Sequence, residues 1–197
     1  VRYIGNRSSG KMGYAIAAAA ADRGAKVTLI SGPTSLPAPD VDRIVSVTTT
    51  LDLQAAVREA ADVADVVIMA AAVADYRVDN PANQKMKKTG DALVLRLVEN
   101  PDILADLGAR QHRPLLVGFA AETHDLLANA SAKRVNKGAD MLVANDVTAP
   151  GSGFGTDTNQ AVFLYRDRPD ESLPLMSKEE LAGHLLDRVQ VLLSARR

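Results

Sequence analysis

The 197-residue chain has no cysteine, which removes thiol nucleophiles, disulfides and thiolate metal sites together. No run approaches the roughly 20 apolar residues that a membrane span requires, and no signal peptide is visible. The expected compartment is therefore the cytoplasm, with no membrane partner. The formal net charge is only −1, so the chain has no bulk attraction for nucleic acid and must bind any anion locally. The three histidines, His112, His124 and His184, show no metal-ligand spacing and no triad setting. Neither an internal repeat nor a low-complexity tract is present. The chain opens at Val1 rather than Met, inside a predicted strand, which reads as a fragment of a longer polypeptide.

What is present is ordinary for a soluble globular protein: 47% apolar and 24% charged residues. The length suits one domain, residues 1–197, able to bury about 70% of its unfolded surface. Helical patterns alternate with β-branched runs. The spacing predicts strands at Val1–Ile4, Lys26–Ile30, Ile44–Val47, Val66–Met69, Leu115–Phe119 and Met141–Ala144. Helices are expected over Lys11–Arg23, Leu51–Ala64, Pro101–Ala109, Leu126–Lys137 and Lys178–Ser194, with Gly24 and Gly138 closing two of them. This rhythm predicts an α/β fold, a Rossmann-like doubly wound parallel sheet. Two regions break it. Asp79–Thr89 is polar and lysine-rich and reads as a flexible lid. Ala92–Val98 then has strand character, and the late strand Gln160–Tyr165 is a candidate to pair with it, as an added strand or hairpin region for dimerisation.

Gly5–Gly13, GNRSSGKMG, runs straight into an alanine-rich helix. A strand, a glycine- and serine-rich turn and a helix in that order build an anion cradle, because free N–H groups at the helix start point at negative charge. Gly5, Gly10 and Lys11 match the start of a phosphate-binding P-loop, but Met12 stands where a magnesium-binding hydroxyl is needed. The dinucleotide fingerprint is also incomplete. Only Gly10 and Gly13 of its glycines are present, and the second strand ends in Ser31-Gly32-Pro33 rather than in an acid. No tyrosine is followed four residues later by lysine, as a short-chain reductase requires.

Several short constellations admit both a structural and a chemical reading. Asn6 is either a turn former or a neutral amide that donates and accepts near a reactive acyl group, and Ser9 is a candidate helix N-cap. Ala70–Tyr76 follows the fourth strand, at the end where open α/β sheets bind ligands. Lys85, Lys87 and Lys88 form either a solvated charge run or a mobile loop that closes over a triphosphate. Asn100-Pro101-Asp102 reads as N-cap, first helical residue and first-turn acid. Lys133 and Lys137 lie four apart on one helical face, complementing the helix dipole or facing phosphates.

Together these segments resemble one family, the CTP-dependent phosphopantothenate–cysteine ligases of bacterial coenzyme A biosynthesis. The carriers are Asn6–Gly13, Ser31–Pro33, Ala71–Arg77, Lys85–Lys88, Asn100–Ile103, Val117–Thr123, Lys133–Lys137 and Ala144–Val147. The resemblance implies that CTP and Mg²⁺ activate 4′-phosphopantothenate as an acyl-cytidylate with release of pyrophosphate. L-Cysteine then takes the acyl group and CMP leaves. It implies Lys85 as the essential lysine of activation and Asn6 as the residue that holds the intermediate. Around CTP it implies Met69, Ala71, Asp75, Lys85, Glu99, Asn100, Pro101, Asp102, Phe119, Lys133 and Lys137. Asn6, Arg7, Ser8, Ser9, Gly10 and Lys11 belong to the phosphate cradle, and magnesium arrives on the CTP phosphates. Glu99 departs from forms of the motif with lysine before Asn-Pro-Asp, so only its backbone role carries over. The family also implies a homodimer with sites near the interface, and an N-terminal fusion to a flavin-dependent decarboxylase, no flavin being expected in this domain. The alternatives are a non-catalytic nucleotide-binding module and an NADP-dependent reductase.

Overall fold

The computed structural model describes residues 3–82, 84–87, 90, 92–122, 125–146, 151 and 155–196. Its core is a five-stranded sheet in the order β10-β9-β7-β6-β3. The strands are β3 (Val66–Met69), β6 (Leu115–Glu122), β7 (Met141–Asp146), β9 (Ala161–Tyr165) and β10 (Glu171–Ser172). β3, β6 and β7 run parallel, and β9 and β10 add antiparallel at one edge. β1 (Thr28–Ser31) and β2 (Arg43–Ser46) form a separate parallel pair.

Because side chains alternate along a strand, each central strand feeds two cores. Leu115, Val117, Met141, Val143, Ala161, Phe163 and Tyr165 face one side. There they pack on Ile16 of α1 (Lys11–Asp22) and on Leu181, Leu185 and Val189 of α5 (Lys178–Ser194). The opposite face carries Leu116, which joins Leu53 and Val57 of α2 (Thr50–Ala61) and Ile103, Leu104 and Leu107 of α3 (Ile103–Gly108). Further along the same face Ala120, Leu142, Ala144 and Leu164 cover Ala130 of α4 (Leu126–Asn136). Helices on both faces of a parallel-rich sheet make this the doubly wound architecture that the element rhythm predicts.

Local signals set most boundaries. Thr49 with Asp52, and Ser177 with Glu180, form reciprocal capping boxes at the starts of α2 and α5. Gly24 and Gly138 adopt φ of 80° and 60° just beyond α1 and α4, where a side chain would strain the chain.

Three expectations fail. The strand expected at Val1–Ile4 is not formed at Tyr3 and Ile4, which are irregular and 88% and 52% exposed; Val1 and Arg2 lie outside the described residues. A strand needs a neighbour for its backbone groups, and no described strand pairs with these residues. Strand structure in Ala92–Val98 is confined to β5 (Leu97–Glu99), which pairs antiparallel with β4 (Tyr76–Val78). Gln160–Tyr165 does not pair with that region. It supplies β9, whose partner is β7, because its alternating apolar residues fill both cores at once. A short antiparallel pair, β8 (Thr158–Asn159) with β11 (Met176–Ser177), leads into α5. Of the expected lid, Asn83, Lys88 and Thr89 lie outside the described residues.

At the N-terminal ends of β6 and β7, away from the glycine-rich turn, Asp140 gathers charge. Its carboxylate accepts from Arg113 at 2.6 and 3.1 Å, from Arg196 at 3.1 and 3.2 Å and from the Leu116 N–H at 2.8 Å. Arg166 stands 3.6 Å away. The Asp140 and Arg113 side chains are each only 10% exposed. Burial pushes the Asp140 carboxyl up, but the hydrogen bonds from Arg113 and Leu116 and the two arginine charges outweigh it and hold the group below its usual value. Removing one partner of a buried pair strands the other, so Asp140→Ala should cost about 3–5 kcal/mol in urea unfolding. A depressed folded-state pKa means stability present above the unfolded value, about 3.9, and lost as pH falls through the lower folded value. The wild type should therefore lose stability below about pH 4 more steeply than Asp140→Ala. Parallel curves for the two proteins would contradict this role.

Candidate active site at the carboxyl ends of the parallel strands

The glycine-rich turn begins α1 from a glycine. Gly10 occupies the N-cap with φ 77° and no side-chain cap, so Ser9 is not the N-cap. Its hydroxyl instead accepts from Lys11 N–H at 3.4 Å, and the Ser8 hydroxyl accepts from Gly10 N–H at 3.3 Å. A left-handed residue is needed to turn the chain into the helix, and only glycine takes that conformation cheaply. Among the described residues the N–H groups of Met12 and Gly13 have no acceptor, and Arg7 has no hydrogen bond or ion pair. Lys11 does have a partner: its ammonium sits 2.6 Å from Asp157 and 3.1 Å from the Gly155 carbonyl.

Thr34, just after β1, fastens this turn by donating to the Ser9 carbonyl at 3.1 Å, and the hydroxyls of Tyr14 and Ser31 lie 3.1 Å apart. No local pattern in the sequence marks Thr34 or Tyr14 as part of this turn. The nearest signal is the Ser31-Gly32-Pro33 stretch before Thr34.

The loop after β3 joins the turn to the next segment. Asn6 Nδ2 donates to the Val73 carbonyl at 3.0 Å, Asn100 Nδ2 to the Ala74 carbonyl at 2.9 Å, and Asn100 N–H to the Asp75 carbonyl at 2.7 Å. Arg77 donates to the Glu99 carbonyl and to Asn100 Oδ1, so Glu99 is engaged through its backbone. Asn100 is thereby committed to the loop and cannot cap α3. Asp102 is the N-cap, accepting from Ala105 N–H at 3.1 Å, and Pro101 precedes the helix. The expected cap register was two residues early. Because the Val73 carbonyl only accepts, the atom facing it must be the amide nitrogen of Asn6. Asn6 is left with its oxygen and a second N–H uncommitted among the described residues.

A cleft of about 410 Å³ opens between the start of α3 and one face of α4, lined by Asp102, Asn129, Ala132, Lys133, Asn136 and Lys137. Lys137 Nζ lies 3.0 Å from Asp102. Burial raises the Asp102 carboxyl, yet the Ala105 N–H and the hydrogen bond and charge of Lys137 outweigh it and keep the group below its ordinary range. Asn129, Ala132 and Asn136 join the two lysines in the lining, and helical spacing from Lys133 and Lys137 is the sequence signal that reaches them. The cleft wall is held by backbone contact. A Cβ added at Gly108 would stand 2.1 Å from the Lys137 carbonyl oxygen.

The other expected residues are distributed around these features. Met69 ends β3 and packs toward the α2–α3 core, with Ala71 and Asp75 in the loop beyond it. Phe119 on β6 packs toward α1 and α5, the opposite face from the cleft. Lys85 is exposed and makes no hydrogen bond or ion pair with a described residue. No group of three or more His, Cys, Asp or Glu able to hold a metal occurs among the described residues. No helix among them is long and apolar enough to cross a membrane.

Comparison with known proteins agrees with the fold. The sequence matches the family "DNA/pantothenate metabolism flavoprotein C-terminal domain" over residues 1–192. It is 50% identical over 193 residues to the coenzyme A biosynthesis bifunctional protein CoaBC of Escherichia coli strain K12, covering 96% of this chain and 47% of that protein. The chain thus spans about half the length of the curated relatives it matches. A crystal structure of the C-terminal domain of a CoaBC superposes with TM-score 0.83 at 38% identity, covering 99% of this chain and 88% of that one. A Cab2 mutant in complex with phosphopantothenate-cysteine shares the fold, with TM-score 0.77 at 15% identity over 100% of this chain and 82% of that one.

Gly108→Ala tests the cleft wall. In a free helix the change gains about 1 kcal/mol, but overpacking costs about 1–3 kcal/mol and the clash here is with backbone. Because backbone cannot swing aside as a side chain can, the upper end of that cost applies, and a net loss of about 2 kcal/mol is expected in urea unfolding. Gly32→Ala, where nothing lies within 4 Å of the added Cβ, should move stability by less than about 0.5 kcal/mol. Equal stabilities for the two variants would mean that α3 and α4 separate without cost.

Proposed function

The chain belongs to the family of the DNA/pantothenate metabolism flavoprotein C-terminal domain, and from that premise we propose that it is a CTP-dependent phosphopantothenate–cysteine ligase. The observation that carries this reading is the Asn6–Val73 hydrogen bond at 3.0 Å. It holds an amide able to donate and accept beside the loop that leads to the nucleotide segment. The neighbouring features suit the same chemistry: free helix N–H groups and Arg7 for a phosphate, and a lysine-lined cleft for a nucleotide.

In the first step a carboxylate oxygen of 4′-phosphopantothenate bonds to the α-phosphorus of CTP. The bridging P–O bond breaks, and pyrophosphate leaves with its electron pair. Lys85, exposed and without a partner among the described residues, neutralises that leaving group. The Met12 and Gly13 N–H groups and Arg7 hold phosphate, while Lys133 and Lys137 face the triphosphate. Mg²⁺ is typically held by one or two carboxylates and substrate phosphates; here the exposed Asp75 carboxylate would hold it, and the ion would supply charge neutralisation on the triphosphate. In the second step the amine of L-cysteine attacks the acyl carbon, the acyl–phosphate C–O bond breaks, CMP departs and the amine loses a proton. Asn6 orients the acyl-phosphate during this step with its uncommitted N–H and oxygen.

We also propose a homodimer built on the β4–β5 hairpin, where Tyr76, Leu93, Val94, Leu95 and Leu97 are exposed together. Four exposed large apolar side chains within five residues, Leu93 to Leu97, are what a covering partner would bury. We further propose an N-terminal fusion to a flavin-dependent decarboxylase, which the double length and bifunctional naming of the curated relatives support.

The half-reactions separate the two key residues. Lys85→Gln should slow pyrophosphate release from CTP and phosphopantothenate by about 10²–10³, even without cysteine. Asn6→Asp should retain pyrophosphate release and lose amide formation, because a carboxylate repels both the acyl-phosphate and the Val73 carbonyl. Full product formation by Asn6→Asp, or normal pyrophosphate release by Lys85→Gln, would refute the assignment concerned. For the dimer, sedimentation should give a single species of twice the chain mass. Mixing the Lys85→Gln and Asn6→Asp protomers should restore activity if each site draws the two residues from different chains. A fully active monomer at low concentration sinks the dimer.

A further inference from the structure

Lys11 stands at the first position of α1, beside the free N–H groups of Met12 and Gly13, yet its ammonium is turned to Asp157. The strap that carries Asp157 is anchored from behind. Lys178, a buried lysine at the start of α5, donates to the Thr156 carbonyl, and its own N–H donates to the Asp157 carbonyl at 3.0 Å. The Thr156 hydroxyl donates to the Thr158 carbonyl at 2.9 Å, at the start of β8. The backbone of the strap is therefore held by α5, while the Asp157 side chain remains 85% exposed. Two lysines converge on this strap, and burial followed by the Lys11 charge pushes the Lys178 ammonium below its ordinary range.

An exposed ion pair of this kind is weak, since its partners exchange for water at little cost. A phosphate dianion in the turn offers Lys11 twice the charge of Asp157, together with oxygens for the Met12 and Gly13 N–H groups. We infer that Asp157 is a positioning residue that acts through Lys11: it holds the ammonium out of the turn until an incoming phosphate takes it, so that the ion pair competes with phosphate binding. This rests on the ligase reading for the identity of the phosphate, which belongs to either phosphopantothenate or CTP, but not for the competition itself. The competition sets a sign that a merely structural role for Asp157 does not share. Neutralising the carboxylate should tighten phosphate binding, whereas loosening the strap should weaken it.

The test uses Asp157→Asn, Lys11→Gln and the double variant. Affinity for inorganic phosphate is read by NMR shifts of the Met12 and Gly13 amides, and KM and kcat are read separately for phosphopantothenate and for CTP. Asp157→Asn should tighten phosphate binding about two- to fivefold, the range set by exposed ion pairs, and lower one KM by the same factor with kcat unchanged. The substrate whose KM falls identifies the phosphate. Lys11→Gln should weaken binding, and adding Asp157→Asn to it should change nothing further. Weaker or unaltered phosphate binding in Asp157→Asn, or an equal gain in the Lys11→Gln background, overturns the inference. If the protein makes no amide from these substrates, the ligase reading fails while the phosphate titration still decides the competition.

Discussion

Three consecutive carbonyls after β3, those of Val73, Ala74 and Asp75, are each held by an asparagine. Asn6 reaches the first from the glycine-rich turn, and Asn100 takes the other two with its side chain and its backbone. The loop thereby becomes a rigid bridge between the anion cradle on one side of the sheet and the start of α3 on the other. Its chemistry is unambiguous, because a carbonyl only accepts and so fixes which end of each amide faces it. Arg77 closes the arrangement by holding Asn100 Oδ1 from the hairpin. The cradle and the lysine cleft are coupled to the exposed hairpin through this one run of backbone.

That bridge is only as firm as the sheet beneath it. β3 and β6 pair Met69 with Gly118, and Gly118 has no room for a side chain, since a Cβ there would stand 2.6 Å from Leu104 and 2.8 Å from Leu142. α3 is pressed onto the sheet at that point, and Gly108 brings its end against the Lys137 carbonyl. The end of α4, which carries Lys133 and is capped by Lys137, is thus held against α3 by the Gly108 contact together with the Lys137–Asp102 ion pair. At the other end of the strands the Asp140 cluster ties β6, β7 and the end of the chain through Arg113 and Arg196. The buried ion cluster and the groups proposed to bind ligand occupy opposite ends of the same strands, so the stabilising charges lie away from the proposed site.

Charge near the cradle is arranged differently. Lys11 and Lys137 both have carboxylate partners, Asp157 and Asp102, whereas Arg7 and Lys85 have none among the described residues. The carboxylates offset the positive charge of Lys11 and Lys137, and an exposed pair such as Lys11–Asp157 exchanges at little cost. Such a division suits a site that must accept a polyanion and then release one.

Much of this was legible in the sequence because it is local. The 3.6-residue and two-residue periods, the glycines after α1 and α4, and the spacing of Lys133 and Lys137 depend on neighbours a few residues apart, and the elements they predict formed nearly where expected. Apart from Ser9, displaced from the N-cap by its neighbour Gly10, the failures share one cause: backbone partners chosen across long stretches of chain. Val1–Ile4 reads as a strand by composition, yet no described strand pairs with Tyr3 or Ile4. Gln160–Tyr165 is a strand by composition, but burial of both its faces seats it beside β7 rather than beside the hairpin. Asn100 has the composition of a helix cap, and only the arrival of Ala74 and Asp75 gives its amide and N–H another use. The pairing of Lys11 with Asp157, 146 residues apart, is likewise invisible until the sheet brings α1 and α5 together. Residue chemistry and local period were set by the sequence itself; which donor meets which acceptor was decided by the tertiary fold, because hydrogen bonds and ion pairs act over ångströms and not along the chain.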